Sequence, residues 1–344
     1  MTTTQRGGRP PVSGTVDTDS RTDEDMNAAP LGANRTVILD TDIGSDVDDA
    51  MALAQILGTP NLTLDRVTTV YGDTNLRAQI AHRYGRLAGV DLSVHAGEWQ
   101  PLSGREVWWA GHEGSLHVNL GREPVARTPA VEQLVASFRE RPGELDLVAI
   151  GPLTNIATAL AREPDFGTWI RHLWVMGGSF DGSDEPEHNF RSDDCAASAV
   201  LSAGIPTTIT ALEVTRQLTF QADDLDRIGA AGGLGRALRA DIHQWWEYWQ
   251  ETWNVPHDPV AVLTLSDPHM FTFSAPGRVE IEVGGQDAGV STFKPHEHGT
   301  IRLATAVDGQ SATAAITRAI AAAAAEGTPF PSPGLSAARP GRER

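Results

Sequence analysis

Five aspartates crowd into one short stretch, VILDTDIGSDVDDAMALAQIL from Val37 to Leu57, between a run patterned as a buried strand and one patterned as a helix. In an open parallel sheet the crevice lies beyond the carboxyl ends of the strands, so acids at a strand-to-helix turn face a ligand or a cation. Like charges at such density repel one another, and a bound metal relieves them. Asp48 and Asp49 also sit where a first helical turn welcomes negative charge. Capping accounts for one or two acids, which leaves Asp40, Asp42 and Asp46 to explain.

The rest of the chain supplies the sheet. Short β-branched runs (VILD, RVTTVYG, LSVHAG, LDLVAIG, HLWVMGG, TTITALEV) alternate with amphipathic stretches such as LRAQIAHRYGRLAG and PAVEQLVASFRERPG, the rhythm of βαβ units. The expectation is an α/β fold: an open, mainly parallel twisted sheet flanked by helices, with a helical and hairpin-like C-terminal elaboration. Residues 1–34, rich in Thr, Asp, Gly and Pro, read as a disordered leader without a signal-peptide core, and 328–344 as a flexible tail, which leaves a catalytic domain over 35–327. A cytoplasmic location follows as the default.

Composition excludes several functions. A net charge of −18 and a single lysine, Lys294, argue against a nucleic-acid partner, and no apolar run is long enough for a membrane span. The lone cysteine, Cys195, forms no internal disulfide and no zinc constellation; it reads as a small residue opening a helix.

Calcium takes six to eight oxygen ligands from carboxylates, carbonyls and water. Asp42, Asp49 and the distant Asp258 are the candidate carboxylates, and the AIGPLTN segment at Ile150 ends a strand and offers a carbonyl. No spacing here is an EF-hand or a His/Cys motif, so composition leaves a metal site and a solvated acidic loop both open.

Taken together, DTDIGSDVDDAMAL, TTVYGDTN, AIGPLTN, VMGG followed by EHNF, and HDPVAV stand in the order in which they occur in the inosine-uridine-preferring nucleoside hydrolases, and the chain resembles that family from Val37 to Val262. The resemblance implies a tightly bound Ca²⁺, hydrolysis of the N-glycosidic bond of ribonucleosides, and a homodimer or homotetramer. Carried over by position, Asp42 is a metal ligand that also accepts the proton of the attacking water; Asp49, Asp258 and the Ile150 carbonyl are further ligands. Asp48, Glu187 and Asn189 fall where the ribose hydroxyls are held, and His257 near the leaving base. Three departures stand out: two extra residues between Gly44 and the Asp48–Asp49 pair, Asp73 where many members have Asn, and a short loop between Gly178 and Glu187 that bears on any ribose contact from Asp184.

The chemistry agrees with the residue types. Breaking a ribosyl C–N bond builds positive charge on the sugar and negative charge on the base, so acids suit one side and a donor such as His257 or His112 the other. His82 and His243 read as helix-surface residues. Trp249 and Trp253, four apart and hence on one face of a Trp-rich helical stretch, and the pair Trp108 and Trp109 could sandwich a planar base, with purines weakly favoured, or could pack the core or a subunit interface. Two alternatives compete: a haloacid-dehalogenase-like phosphatase, which needs a bracing lysine that Lys294 in FKPHEHG poorly supplies, and a non-catalytic Ca²⁺- or sugar-binding module.

Overall fold

The computed structural model describes residues 34–182 and 185–326. The expected leader, the tail beyond 326 and Asp184 lie outside the described residues. Ten strands form one sheet: β1 (Arg35–Thr41), β2 (Leu62–Thr69), β3 (Val94–Ala96), β4 (Leu145–Ala149), β5 (His172–Met176), β6 (Thr207–Thr210), β7 (Phe271–Phe273), β8 (Gly277–Ile281), β9 (Ser291–Pro295) and β10 (Ile301–Val307). Their order is β3-β2-β1-β4-β5-β6-β10-β8-β9, with β7 pairing β10 off this path. From β3 through β6 to β10 the pairing is parallel, and only the β7, β8 and β9 pairings are antiparallel. The expected hairpin-like elaboration is this antiparallel edge.

The inner parallel strands β1, β4 and β5 are buried on both sides because helices cover both faces. Successive residues alternate between two cores: Val37, Leu39 and Val148 enter one, while Ile38, Leu147 and Ala149 enter the other. The covering helices are α1 (Asp48–Leu57), α2 (Thr74–Leu87), α3 (Ala130–Glu140), α4 (Thr154–Arg162), α5 (Phe166–Trp169), α6 (His188–Ser192), α7 (Asp194–Leu201), α8 (Leu212–Thr215), α9 (Ala222–Gly229), α10 (Gly232–Trp249), α11 (His257–Ser266) and α12 (Gly309–Glu326). Among the described residues no helix is long and apolar enough to cross a membrane. Cys195 lies in the first turn of α7, as its small size suggested.

The topology decides where chemistry can occur. Sequential strands run outward from β1 in one direction and from β4 in the other, so the β1–β4 seam is the topological switch point. The loops leaving these two strands carry Asp42 and Ile150, and the registers place Asp40 opposite Ala149.

Two readings of helical residues change. His82 is buried rather than on a helix surface, because its Nδ1 meets the Glu123 carboxylate at 2.9 Å and its Nε2 reaches Asp91 at 3.2 Å. Helix α10 stops at Trp249, with Gln250 in the left-handed region at φ 57°, so Trp253 lies beyond the helix and does not share a helical face with Trp249. Lys294 pairs with Glu280 across the β8–β9 hairpin, which gives it a partner other than a phosphate.

Candidate active site

The acidic turn is held from beneath by a buried cation. Arg77 on α2 has no exposed surface; its guanidinium donates to the carbonyls of Tyr71 (2.6 Å), Asp42 and Ile43 (2.9 Å), reaches Ser45 Oγ at 3.3 Å and lies 4.8 Å from the Trp109 ring centroid. A charged group is stable there only because it meets so many acceptors. Gly44 takes φ 121°, a conformation closed to other residues, and Glu113 fastens the loop by accepting from Ser45 Oγ, Ala110 N–H and Gly111 N–H, each at 2.8 Å. Opposite, Gly151 lets β4 approach: a Cβ there would stand 2.7 Å from Asp42 Oδ1.

Three carboxylates converge on this frame. One oxygen from each of Asp48, Asp49 and Asp258 lies within 4.8 Å of the other two, and all three residues are buried. Asp258 opens the same turn of α11 as His257, and its N–H donates to Asp48 Oδ2 at 3.3 Å. Burial pushes the pKa values of Asp48, Asp49 and Asp258 well above the usual carboxylate range, and repulsion among these acids and from Asp42 and Asp46 adds to it; hydrogen bonds, including one from Thr41 to Asp49, oppose the rise. Asp46 is likewise raised to about 7, chiefly by burial. Such an array of hard oxygen donors fits a hard cation such as Ca²⁺. Asp42, directly after β1, lines the same cavity outside the three-carboxylate cluster, whereas Asp48 sits inside it.

The cavity has a volume of about 470 Å³. Of the expected site residues, Asp42, Asp48, Asp49, Ile150, Glu187, Asn189, Trp249, His257 and Asp258 line it. Glu187 caps α6 and accepts from the N–H groups of Gly178 (3.0 Å), Asn189 (2.7 Å) and Phe190 (3.0 Å); burial raises its pKa against those bonds. Asn189 Nδ2 donates to the Ile150 carbonyl at 2.9 Å, which leaves that oxygen a second lone pair for a ligand. His257 Nδ1 lies 2.7 Å from Thr215 Oγ1, and burial, aided by the charge of Arg216, pushes its pKa down to about 4. Without ligand this imidazole is neutral at pH 7, so it offers a neutral N–H or lone pair to a base and not an imidazolium proton.

Three expected substrate contacts lie elsewhere. Asp73 is exposed and caps α2, its carboxylate accepting from Leu76 N–H at 2.9 Å, because the turn after β2 places it at a helix start. His112 is turned away from the cavity, its Nε2 at 2.9 Å from the Ser45 carbonyl and its ring edge-on to Trp245 and Tyr248. Trp253 is 42% exposed and off the cavity wall. Trp245 and Trp108 line the wall instead, whereas Trp109 packs on Arg77. Sequence reasoning left Asp46 unplaced and missed Met176, His188 and Arg216 on the wall. For Arg216 the sequence carried one signal, its place just after the TTITALEV run at a strand end.

With this geometry in hand, comparison with known proteins is informative. A family profile described as inosine-uridine preferring nucleoside hydrolase matches residues 37–322. Uridine nucleosidase 1 of Arabidopsis thaliana is 32% identical over 281 residues, which cover 75% of this chain and 82% of that protein. The non-specific ribonucleoside hydrolase RihC of Salmonella paratyphi A is 33% identical over 260 residues, covering 71% and 83%. Among solved structures, a plant nucleoside hydrolase, the PpNRh1 enzyme, superposes with a TM-score of 0.76 at 25% identity, covering 85% of this chain and 99% of that one. A purine-preferring ribonucleoside hydrolase from Gardnerella vaginalis gives 0.74 at 23% identity over 85% and 99%, a likeness of fold.

Proposed function

The chain belongs to the inosine-uridine preferring nucleoside hydrolase family, and from that premise we propose that it is a Ca²⁺-dependent ribonucleoside N-ribohydrolase acting in the cavity at the β1–β4 switch point. The observation that carries this reading is the convergence of three buried carboxylates from opposite ends of the sequence beside further acids and amides that suit a ribose. Family membership weighs against a phosphatase, and ribose release separates a hydrolase from a non-catalytic binding module.

Asp48, Asp49 and Asp258, with Asp42 and the Ile150 carbonyl, are the residues that would hold the cation. When bound, Ca²⁺ supplies orientation of the sugar diol and acidification of a nearby water. The chain's own residues do the rest. Asp42 takes the proton of the water that attacks the anomeric carbon. Asp48, Glu187 and Asn189 grip hydroxyls, and the ring of acids stabilises positive charge as it grows on the sugar. Direct attack by water gives inversion at that carbon. Trp245, Trp249 and Trp108 offer indole faces for the base.

On base choice, large indole surfaces reward the larger purine ring by stacking, which favours purines weakly. The Arabidopsis relative is named for uridine, so pyrimidine ribosides belong in the same assay. Release of free ribose from a panel of ribonucleosides and their 2′-deoxy counterparts tests the reading. Loss of the 2′-hydroxyl strands buried polar groups and is expected to cut kcat/KM by about 10²-fold or more. Equal turnover of inosine and deoxyinosine would remove the diol-binding role, and no ribose from any substrate would remove the activity. The family resemblance also supports a homodimer or homotetramer, which a solution mass measurement checks.

A further inference from the structure

C–N cleavage creates a need that the carboxylates cannot meet. The bond's electron pair departs with the base, so the leaving group turns anionic as the sugar turns cationic. Six acidic side chains line the cavity: Asp42, Asp46, Asp48, Asp49, Glu187 and Asp258. They favour the sugar's charge and oppose the base's.

Among the described residues, Arg216 is the sole Arg or Lys on the cavity wall. It directly follows α8, and its own N–H donates to the Leu212 carbonyl at 3.0 Å. The preceding residue, Thr215, bonds His257 through its hydroxyl, which anchors Arg216 on the His257 side of the cavity. Its side chain is exposed, and among the described residues its guanidinium has no hydrogen bond or ion pair, despite six acids in the same cavity. Elsewhere the chain pairs such groups readily, as Arg35 and Arg171 do with Asp146. A guanidinium offers five N–H donors, no acceptor, and never gives up its charge at working pH.

Resting on the ribohydrolase reading above, we propose that Arg216 is a catalytic residue that donates hydrogen bonds to the departing base, and that it thereby selects bases bearing a carbonyl oxygen. In the step, the C1′–N bond breaks with its electron pair on the base, the water oxygen bonds to C1′, and the water's proton passes to Asp42. Arg216 keeps its protons throughout; the base anion is later protonated by solvent. A group that only donates stabilises the growing negative charge on the oxygen of hypoxanthine or uracil. Facing adenine, it meets an amino group that is itself a donor.

The test compares Arg216→Ala, Arg216→Gln and Arg216→Lys on inosine, adenosine and 4-nitrophenyl riboside. Position 216 is exposed, so the variants are expected to fold, and circular dichroism checks it. On inosine, Arg216→Ala should lower kcat/KM about 10²-fold, mostly through kcat. On the nitrophenyl riboside, whose leaving group needs little help, the loss should stay within about threefold. The inosine-to-adenosine ratio should collapse, with partial recovery in Arg216→Lys and on adding free guanidinium to Arg216→Ala. Equal losses on all three substrates, or no loss on inosine, would overturn the proposal. Wild-type turnover of inosine in the same experiment separates that failure from failure of the ribohydrolase reading, in which wild-type protein releases no ribose from any nucleoside.

Discussion

Among the described residues, two sites of buried carboxylate are treated in opposite ways. Glu123 is enclosed, but Arg83 Nε at 2.6 Å, His82 Nδ1 at 2.9 Å and Arg86 at 3.1 Å all reach it; burial alone would raise its pKa, and these bonds outweigh burial and hold it below the ordinary value. Asp48, Asp49 and Asp258 are as deeply buried, and their pKa values are driven up. The single buried cation nearby, Arg77, spends its hydrogen bonds on the loop's carbonyls and Ser45. One acid given three basic partners, beside three acids left together without one, supports the proposal that the second cluster serves a cation from outside.

That contrast can be broken by substitution, beginning with the largest effect. Asp42→Asn should cost about 10²–10⁴-fold in kcat/KM, the usual worth of a positioned general base, while the thermal midpoint stays or rises. A midpoint drop with activity retained would assign Asp42 to the fold. Arg77→Met should cost about 3 kcal/mol, because the Tyr71, Asp42 and Ile43 carbonyls lose their donor, and should weaken Ca²⁺ binding as well by loosening the loop. Equilibrium unfolding and calcium titration measure the two; unchanged stability would mean that water replaces the guanidinium.

At the paired cluster, Glu123→Gln should lower stability by about 2 kcal/mol and leave kcat of the folded protein unchanged. The clusters should also respond oppositely to pH. Glu123 has a folded pKa below its ordinary 4.5, so its contribution is complete above that value and is lost as pH falls through the folded pKa. Asp48, Asp49 and Asp258 are raised well above 3.8 and the adjoining Asp46 to about 7, all chiefly by burial; in metal-free protein their contribution is complete below pH 3.8 and lost as pH rises through the folded values. Thermal midpoints between pH 4 and 7 should therefore fall with rising pH without metal, and Ca²⁺ should flatten the slope. An identical slope with and without Ca²⁺ would count against a cation at the acids. The smallest effect belongs to Asp73→Ala: about 1 kcal/mol of lost capping, with kcat/KM within about twofold of wild type. A tenfold loss of activity would return Asp73 to the substrate.

Local patterns made much of this readable. Alternating strand and helix signals gave a mainly parallel sheet, and the motif-bearing turns at Asp42, Ile150, Glu187 and Asp258 do meet on one rim. The exceptions share a cause: their environment is set by residues far away in sequence. Arg77 and His82 sit in an amphipathic pattern where charge reads as solvent-facing, and both are buried by loops that supply partners. Asp73 precedes a helix, where a cap and a ligand look alike. Trp253 follows a helix stop formed by Gln250 without the glycine that usually marks one, so the helical repeat seemed to run on.

The proposed cation site at Asp48, Asp49 and Asp258 is open to a direct test. Ribose release from inosine and uridine, measured on protein stripped with a strong chelator and then titrated with Ca²⁺, tests it most directly. Turnover is expected to disappear on stripping and to return in a saturable way with Ca²⁺, and Asp49→Asn and Asp258→Asn to fail to recover it at the same concentrations. Full turnover by stripped protein in excess chelator would contradict it.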